Sequence, residues 1–113
     1  MNRRKHQRAP VEIWVKEENG DFFFTHRASN ISVGGFFLEK KVFRIKSSAT
    51  FFFRLPTSDE LIVVRGRSVY DTALDPDKTS IGTGIQFTDL SLDAKKLIHE
   101  YVTTFSRSKR STS

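Results

Sequence analysis

The sequence predicts an all-β fold: a small six-stranded antiparallel β-barrel with a C-terminal α-helix packed on it. Three observations predict it. Short runs rich in phenylalanine, valine and isoleucine recur as far as residue 90, and glycine, proline, asparagine or aspartate punctuates them. Beyond Ser91 the apolar period lengthens from two residues to that of a helix. The length of 113 residues suits one domain with one core.

Residues 1–9 form a basic arm, expected to be flexible, with four formal positive charges between positions 3 and 8. Residues 10–17 alternate loosely and end at Asn19-Gly20, a two-residue hairpin signal. Residues 21–28 return as the second strand, carrying Phe22-Phe23-Phe24. A polar, glycine-containing turn covers residues 30–35, and residues 35–40 form the third strand. Residues 42–46 either extend it or make a short bridge. The fourth strand spans residues 50–55, with Phe51-Phe52-Phe53, and Pro56 stops it. In both phenylalanine triplets alternation sends at least one ring inward, and core burial is the expected use of most of them.

Residues 61–70 form the fifth strand, with Gly66 marking a bulge or bend. Residues 71–79, including Asp75-Pro76-Asp77, make a polar loop, and residues 81–87 are the last strand. The barrel thus occupies residues 10–90. A helix follows over residues 91–106, with Ser91 as N-cap and Asp93 in the first turn, where the helix dipole favours negative charge. Leu97, Tyr101 and Phe105 set its apolar stripe, widened by Ile98 and Val102. Residues 107–113 have no apolar side chain and are expected to be a disordered tail.

Composition narrows the function classes. The absence of cysteine excludes disulfides, thiolate nucleophiles and cysteine-ligated zinc. His6, His26 and His99 lack metal-ligand spacing, and Ser32 has no identifiable base, so neither a metal, a cofactor nor an enzyme is expected. No apolar run approaches a membrane span and no secretory signal is recognisable, which suggests a soluble cytoplasmic protein. A net charge of +6 favours anionic partners.

Two short patterns carry the functional reading. Asn30 and Ser32 are two apart, so extended backbone sends both side chains to one face, and Gly34-Gly35 leaves a bare floor beside them. Taken alone, this is also what an ordinary loop between strands looks like. Upstream, Arg4 and Arg8 form R-x-x-x-R, which extended geometry spreads over roughly 13 Å. Arginine suits anions and purines alike, because its planar fork pairs with phosphate oxygens and with guanine O6 and N7, and it also stacks on bases.

With its R-x-x-x-R preceding N-x-S-x-x-G (Asn30, Ser32, Gly35), the sequence resembles the PilZ family, small β-barrels that bind the bacterial second messenger cyclic di-GMP. The runs Val64-Arg65-Gly66-Arg67-Ser68-Val69 and Gly82-Thr83-Gly84-Ile85-Gln86-Phe87 look like the family's last two strands. The resemblance implies a cyclic di-GMP-binding receptor or adaptor, with Arg4 and Arg8 clamping phosphate and guanine. It places Asn30, Ser32, Gly34 and Gly35 against a guanine. Binding orders the arm and passes the signal to a downstream protein. An arginine in the place of Arg3 goes, in the family, with binding of an intercalated ligand dimer, so two ligand molecules per chain are expected. Asn30 stands where many members have aspartate; it offers one acceptor oxygen rather than two.

Two other classes compete. A basic, aromatic-rich barrel also describes a single-stranded nucleic-acid binder that stacks bases on phenylalanine. A PilZ-like module that binds only a protein is the other. The paired motif discriminates against both, since neither has a reason to carry it.

Overall fold

The structure is a computed structural model that describes residues 7–39, 48–71 and 82–111. Six strands, β1 (Ala9–Asn19), β2 (Phe22–Ser32), β3 (Gly35–Glu39), β4 (Ser48–Phe53), β5 (Ile62–Asp71) and β6 (Gly82–Asp89), precede one helix, α1 (Leu92–Ser111). The strands close in the order β1-β2-β3-β6-β5-β4, every pairing antiparallel. The expected architecture is the observed one. The ambiguous segment 42–46 and the Asp75-Pro76-Asp77 loop lie outside the described residues.

Period-two alternation builds the wall. In β1, Ala9, Val11, Ile13, Val15 and Glu17 are buried, while Pro10, Glu12, Trp14 and Lys16 are exposed. Phe36 lies at the centre of the core, edge-on to Phe51, Phe53 and Phe87 with ring centroids 5.5, 5.2 and 5.0 Å away. The bulge expected at Gly66 is present: the β5–β6 register shifts between Arg65 and Gly66.

Helix α1 closes the barrel where β1 begins. Ser91 caps it, its Oγ accepting from the Ala94 N–H at 3.1 Å. The buried row is Ala94, Ile98 and Val102, with Leu97, Tyr101 and Phe105 only partly buried beside it. The stripe is therefore centred one residue away from the one the spacing suggested.

Four expectations need correction. The arm does not extend to residue 9, because Ala9 already pairs with Ile31 and is buried. The β1–β2 loop is Gly20-Asp21 rather than Asn19-Gly20, since Asn19 pairs with Phe22; Gly20 takes the positive φ of 64° that the tight loop needs. The helix continues to Ser111, past the expected disordered tail from residue 107. Arg107, Lys109 and Arg110 are good helix formers, and cations are favoured at a helix C-terminus. Finally, Phe22, Phe23 and Phe24 are all exposed, at 68, 57 and 46%. They sit opposite Asn19, Glu18 and Glu17, on a part of β2 beyond Arg27, the residue paired with the last residue of β3.

Candidate nucleotide-binding face

Arg8 and Asn30 lie half-buried on the outer face of the barrel, next to the inward-facing Ala9 and Ile31, and Ser32 follows on the same side but is buried. The turn is shorter than the sequence suggests. Asn30, Ile31 and Ser32 belong to β2, and only Val33-Gly34 connects Ser32 to its partner Gly35. The chain's backbone hydrogen bonds hold this corner: the Phe87 N–H donates to the Gly34 carbonyl at 2.9 Å.

The two halves of the motif meet directly. Arg8 Nη1 donates to Asn30 Oδ1 at 2.6 Å, a charged donor on a part-buried amide oxygen. That contact fixes the amide orientation, leaving the two Nδ2 hydrogens as donors and one lone pair on Oδ1. Ser32 is 2% exposed. Its hydroxyl accepts from the Gly34 N–H at 3.1 Å and faces the Gly35 carbonyl at 3.5 Å. Its first task is thus to shape the turn.

Gly35 has a different reason from the one expected. It is needed not as an open floor but because β6 passes close by. A Cβ on Gly35 would lie 1.9 Å from the Ile85 carbonyl oxygen, inside the backbone of the neighbouring strand. Gly34 supplies the backbone N–H and C=O that bind Ser32 and Phe87. Arg3 and Arg4 lie outside the described residues.

The register adds two residues to this face. Ser32 pairs with Gly35, Gly35 with Gln86, and Gln86 with Arg67. Gln86 and Arg67 are exposed, so an amide and a guanidinium continue the outer row from Ser32 across three strands. Their signal is the pairing itself, which sequence spacing does not reveal.

The arm's base is tied to α1. Tyr101 Oη donates to the Pro10 carbonyl at 2.8 Å, and Gln7 Nε2 to Ser106 Oγ. Burial pushes the Tyr101 hydroxyl above its ordinary pKa. Beside this tie lies an open hollow of about 750 Å³ bordered by Pro10, Glu12, Trp14, Arg27, Ser29 and Tyr101. Among the described residues no cluster of three or more histidine or acidic side chains could hold a metal, and no helix is long and apolar enough to cross a membrane.

A PilZ-domain family model matches residues 2–104. The chain belongs to the PilZ family. Solved structures agree on the fold of this PilZ domain. The Bacillus subtilis inhibitor of motility, MotI/DgrA, superposes with a TM-score of 0.83 at 17% identity, over 97% of this chain and 54% of that one. The PilZ domain of Escherichia coli YcgR with c-di-GMP superposes with a TM-score of 0.69 at 12% identity, over 98% of this chain and 97% of that one. A longer YcgR chain, also in complex with c-di-GMP, gives 0.79 at 12% identity, over 99% of this chain and 50% of that one. The PilZ domain therefore spans about half the length of the MotI/DgrA and longer YcgR chains. No curated protein sequence matches it significantly. PilZ domains are regulatory binding modules rather than enzymes.

Proposed function

We propose that this PilZ domain is a cyclic di-GMP receptor that orders its N-terminal arm on the ligand and passes the signal to a downstream protein. The observation that carries the reading is the Arg8–Asn30 hydrogen bond, which joins the two halves of the motif on one outer face. Solved PilZ relatives hold c-di-GMP, which supports the ligand class.

The chemistry follows from what each group has left to offer. Asn30 accepts one guanine N–H on its remaining lone pair and donates from Nδ2 to guanine O6. Arg8, already placed beside it, reaches phosphate or the guanine O6/N7 edge, and Arg4 supplies the second guanidinium from the arm. Ser32 and Gly34 hold the turn that brings this edge close, while Gly35 keeps β3 against β6. The arm loses conformational freedom on closing, so the ligand shifts the equilibrium only by its preference for the closed state. Arg3 contacts the second molecule of an intercalated ligand dimer, giving two ligands per chain.

Titration calorimetry with cyclic di-GMP, beside GTP and single-stranded DNA, tests this. Heat from cyclic di-GMP at a stoichiometry of two, falling towards one in Arg3→Leu, is expected. Arg4→Ala and Arg8→Ala should weaken binding by roughly 1.5–3 kcal/mol per charge-assisted bond, with little change in melting temperature. Asn30→Asp should bind at least as well, because a carboxylate accepts from guanine N1–H and N2–H and pairs more strongly with Arg8. Heat with DNA and none with cyclic di-GMP overturns the reading.

A further inference from the structure

We propose that the outer face of β1, β2, β4 and β5 is a docking surface for a partner protein's amphipathic helix whose apolar stripe is flanked by carboxylates. The face is separate from Arg8 and Asn30, and the proposal does not depend on the cyclic di-GMP reading.

The register makes the face contiguous. Lys16 pairs with Thr25 on one side and Phe52 on the other, and Phe52 pairs with Val63. Around this row Trp14, Phe23, Leu61 and Val63 are 65, 57, 45 and 48% exposed. Large apolar side chains scattered singly on a surface need no partner, whereas a contiguous group marks an interaction site. Trp14, Phe23 and Leu61 line a hollow of about 490 Å³, and Val63 lies beside Phe52 at its border.

The pairing also selects the form of the occupant. At the centre of the hollow, β1 at Lys16 is bonded to both β2 and β4, and β4 at Phe52 to both β1 and β5. Over Lys16 and Phe52 no backbone edge is free for strand addition, so a partner seated there is held by side chains alone. A helix, with its backbone hydrogen bonds satisfied internally, meets that condition, and an extended peptide does not.

Charge selects its chemistry. The hollow's lining contains Lys16 and Arg54 and no carboxylate. Lys16 Nζ stands 4.7 Å over the Phe23 ring, and Arg54 Nε donates to the Asp59 backbone carbonyl at 3.0 Å. Among the described residues the ion pairs are His26–Glu17 and Arg27–Glu12, so neither cation is matched by an acid. Carboxylates beside an apolar stripe supply that match. A second copy of this chain does not, because a two-fold contact sets Lys16 and Arg54 against their own equivalents. Single-stranded nucleic acid fits less well too. Leu61 and Val63 offer no stacking surface, and cations already approach the Phe23 and Trp14 rings, Lys16 at 4.7 Å and Arg27 at 5.9 Å.

Trp14 is the single tryptophan of the chain, so its emission reports on this face directly. The probe is a fluorescein-labelled, helix-stabilised peptide with leucines at i, i+3, i+4 and i+7 and glutamates on both flanks. A twin carries lysine for each glutamate, and a labelled oligothymidine serves as the nucleic acid. All titrations are run without nucleotide. The glutamate peptide should shift Trp14 emission to the blue and gain anisotropy, with the lysine twin binding at least about tenfold more weakly. Reversing both cations, Lys16→Glu with Arg54→Glu, should invert that preference. Val63→Ser should weaken the glutamate peptide about tenfold, with the fold retained in circular dichroism because the side chain faces outward. Equal binding of the two peptides overturns the proposal, as does unchanged preference after charge reversal. So does oligothymidine binding in place of the peptide, or a Trp14 shift that follows protein concentration alone together with sedimentation as a dimer.

Discussion

Phe-Phe-Phe occurs twice in this chain, and the two copies live in different surroundings. In β4, Phe51 and Phe53 are 1 and 2% exposed and Phe52 is half-buried on the outer face. In β2 all three rings are exposed, Phe22 and Phe24 stacking 6.4 Å apart with His26 a further 6.3 Å along. Propensity and hydrophobicity are identical in the two copies. What differs is the company: β4 is flanked by β1 and β5 and faces Phe36, while the β2 triplet lies at the far end of a hairpin that runs past its β3 pairing. Burial in a barrel is set by how many strands surround a position, which composition does not encode.

The comparison breaks most sharply at the phenylalanines. Phe51→Ala should lower unfolding free energy in urea by about 3–5 kcal/mol, from lost burial and the cavity left under Phe36. Phe22→Ala should change it by less than about 0.5 kcal/mol. Equal effects would mean that the hairpin end is part of the core. The same contrast of wall and hairpin extends to two glycines. Gly35→Ala drives a methyl into the Ile85 carbonyl and should cost about 1–3 kcal/mol or more in the same assay. Gly20→Ala meets nothing within 4 Å and should lose only the roughly 1–2 kcal/mol of placing a side chain at φ 64°.

Ser32→Ala sharpens the contrast at the ligand face. It removes the acceptor of the Gly34 N–H, so it should lower stability by about 1 kcal/mol and weaken cyclic di-GMP binding as well. Arg8→Ala, at the half-buried end of the same face, should act chiefly on binding. Smallest is Tyr101→Phe, which deletes the bond to the Pro10 carbonyl and should cost about 0.5–1.5 kcal/mol at neutral pH. Burial raises the folded-state pKa of Tyr101 above its unfolded value near 10.0. Its contribution is therefore complete below that value and lost as pH rises through the folded one. Wild type and Tyr101→Phe should converge in thermal melts across that alkaline window.

Much of this was legible in local patterns. Val11, Ile13 and Val15 alternate as written, and Ser91 caps α1 because capping needs only its own next three residues. The phenylalanine error traces to the hairpin. A loop at Asn19-Gly20 would set Phe24 opposite Val15; the loop at Gly20-Asp21 puts His26 there and moves Phe24 out to Glu17. The crowding of Gly35 was not legible, because the Ile85 carbonyl that meets it is brought there by β3–β6 pairing. Arg67 and Gln86 escaped for the same cause: a residue's neighbours across a sheet are set by register, and register is a property of the assembled barrel.

The Tyr101–Pro10 bond joins residues 91 positions apart, and it also orders events in time. In an open chain, a loop that long is entropically costly to close for one hydrogen bond. Once β1 and β6 stand in the same barrel, only the segment from Asp89 to Tyr101 remains to be placed. The closure entropy therefore favours seating α1 on a closed barrel, and the tie at the base of the arm, two residues from Arg8, depends on both. The tie from Tyr101 to Pro10 exists only once the helix has been made and seated. On the proposed function, nucleotide capture then becomes a signal of finished folding, available only to molecules that have completed the whole course.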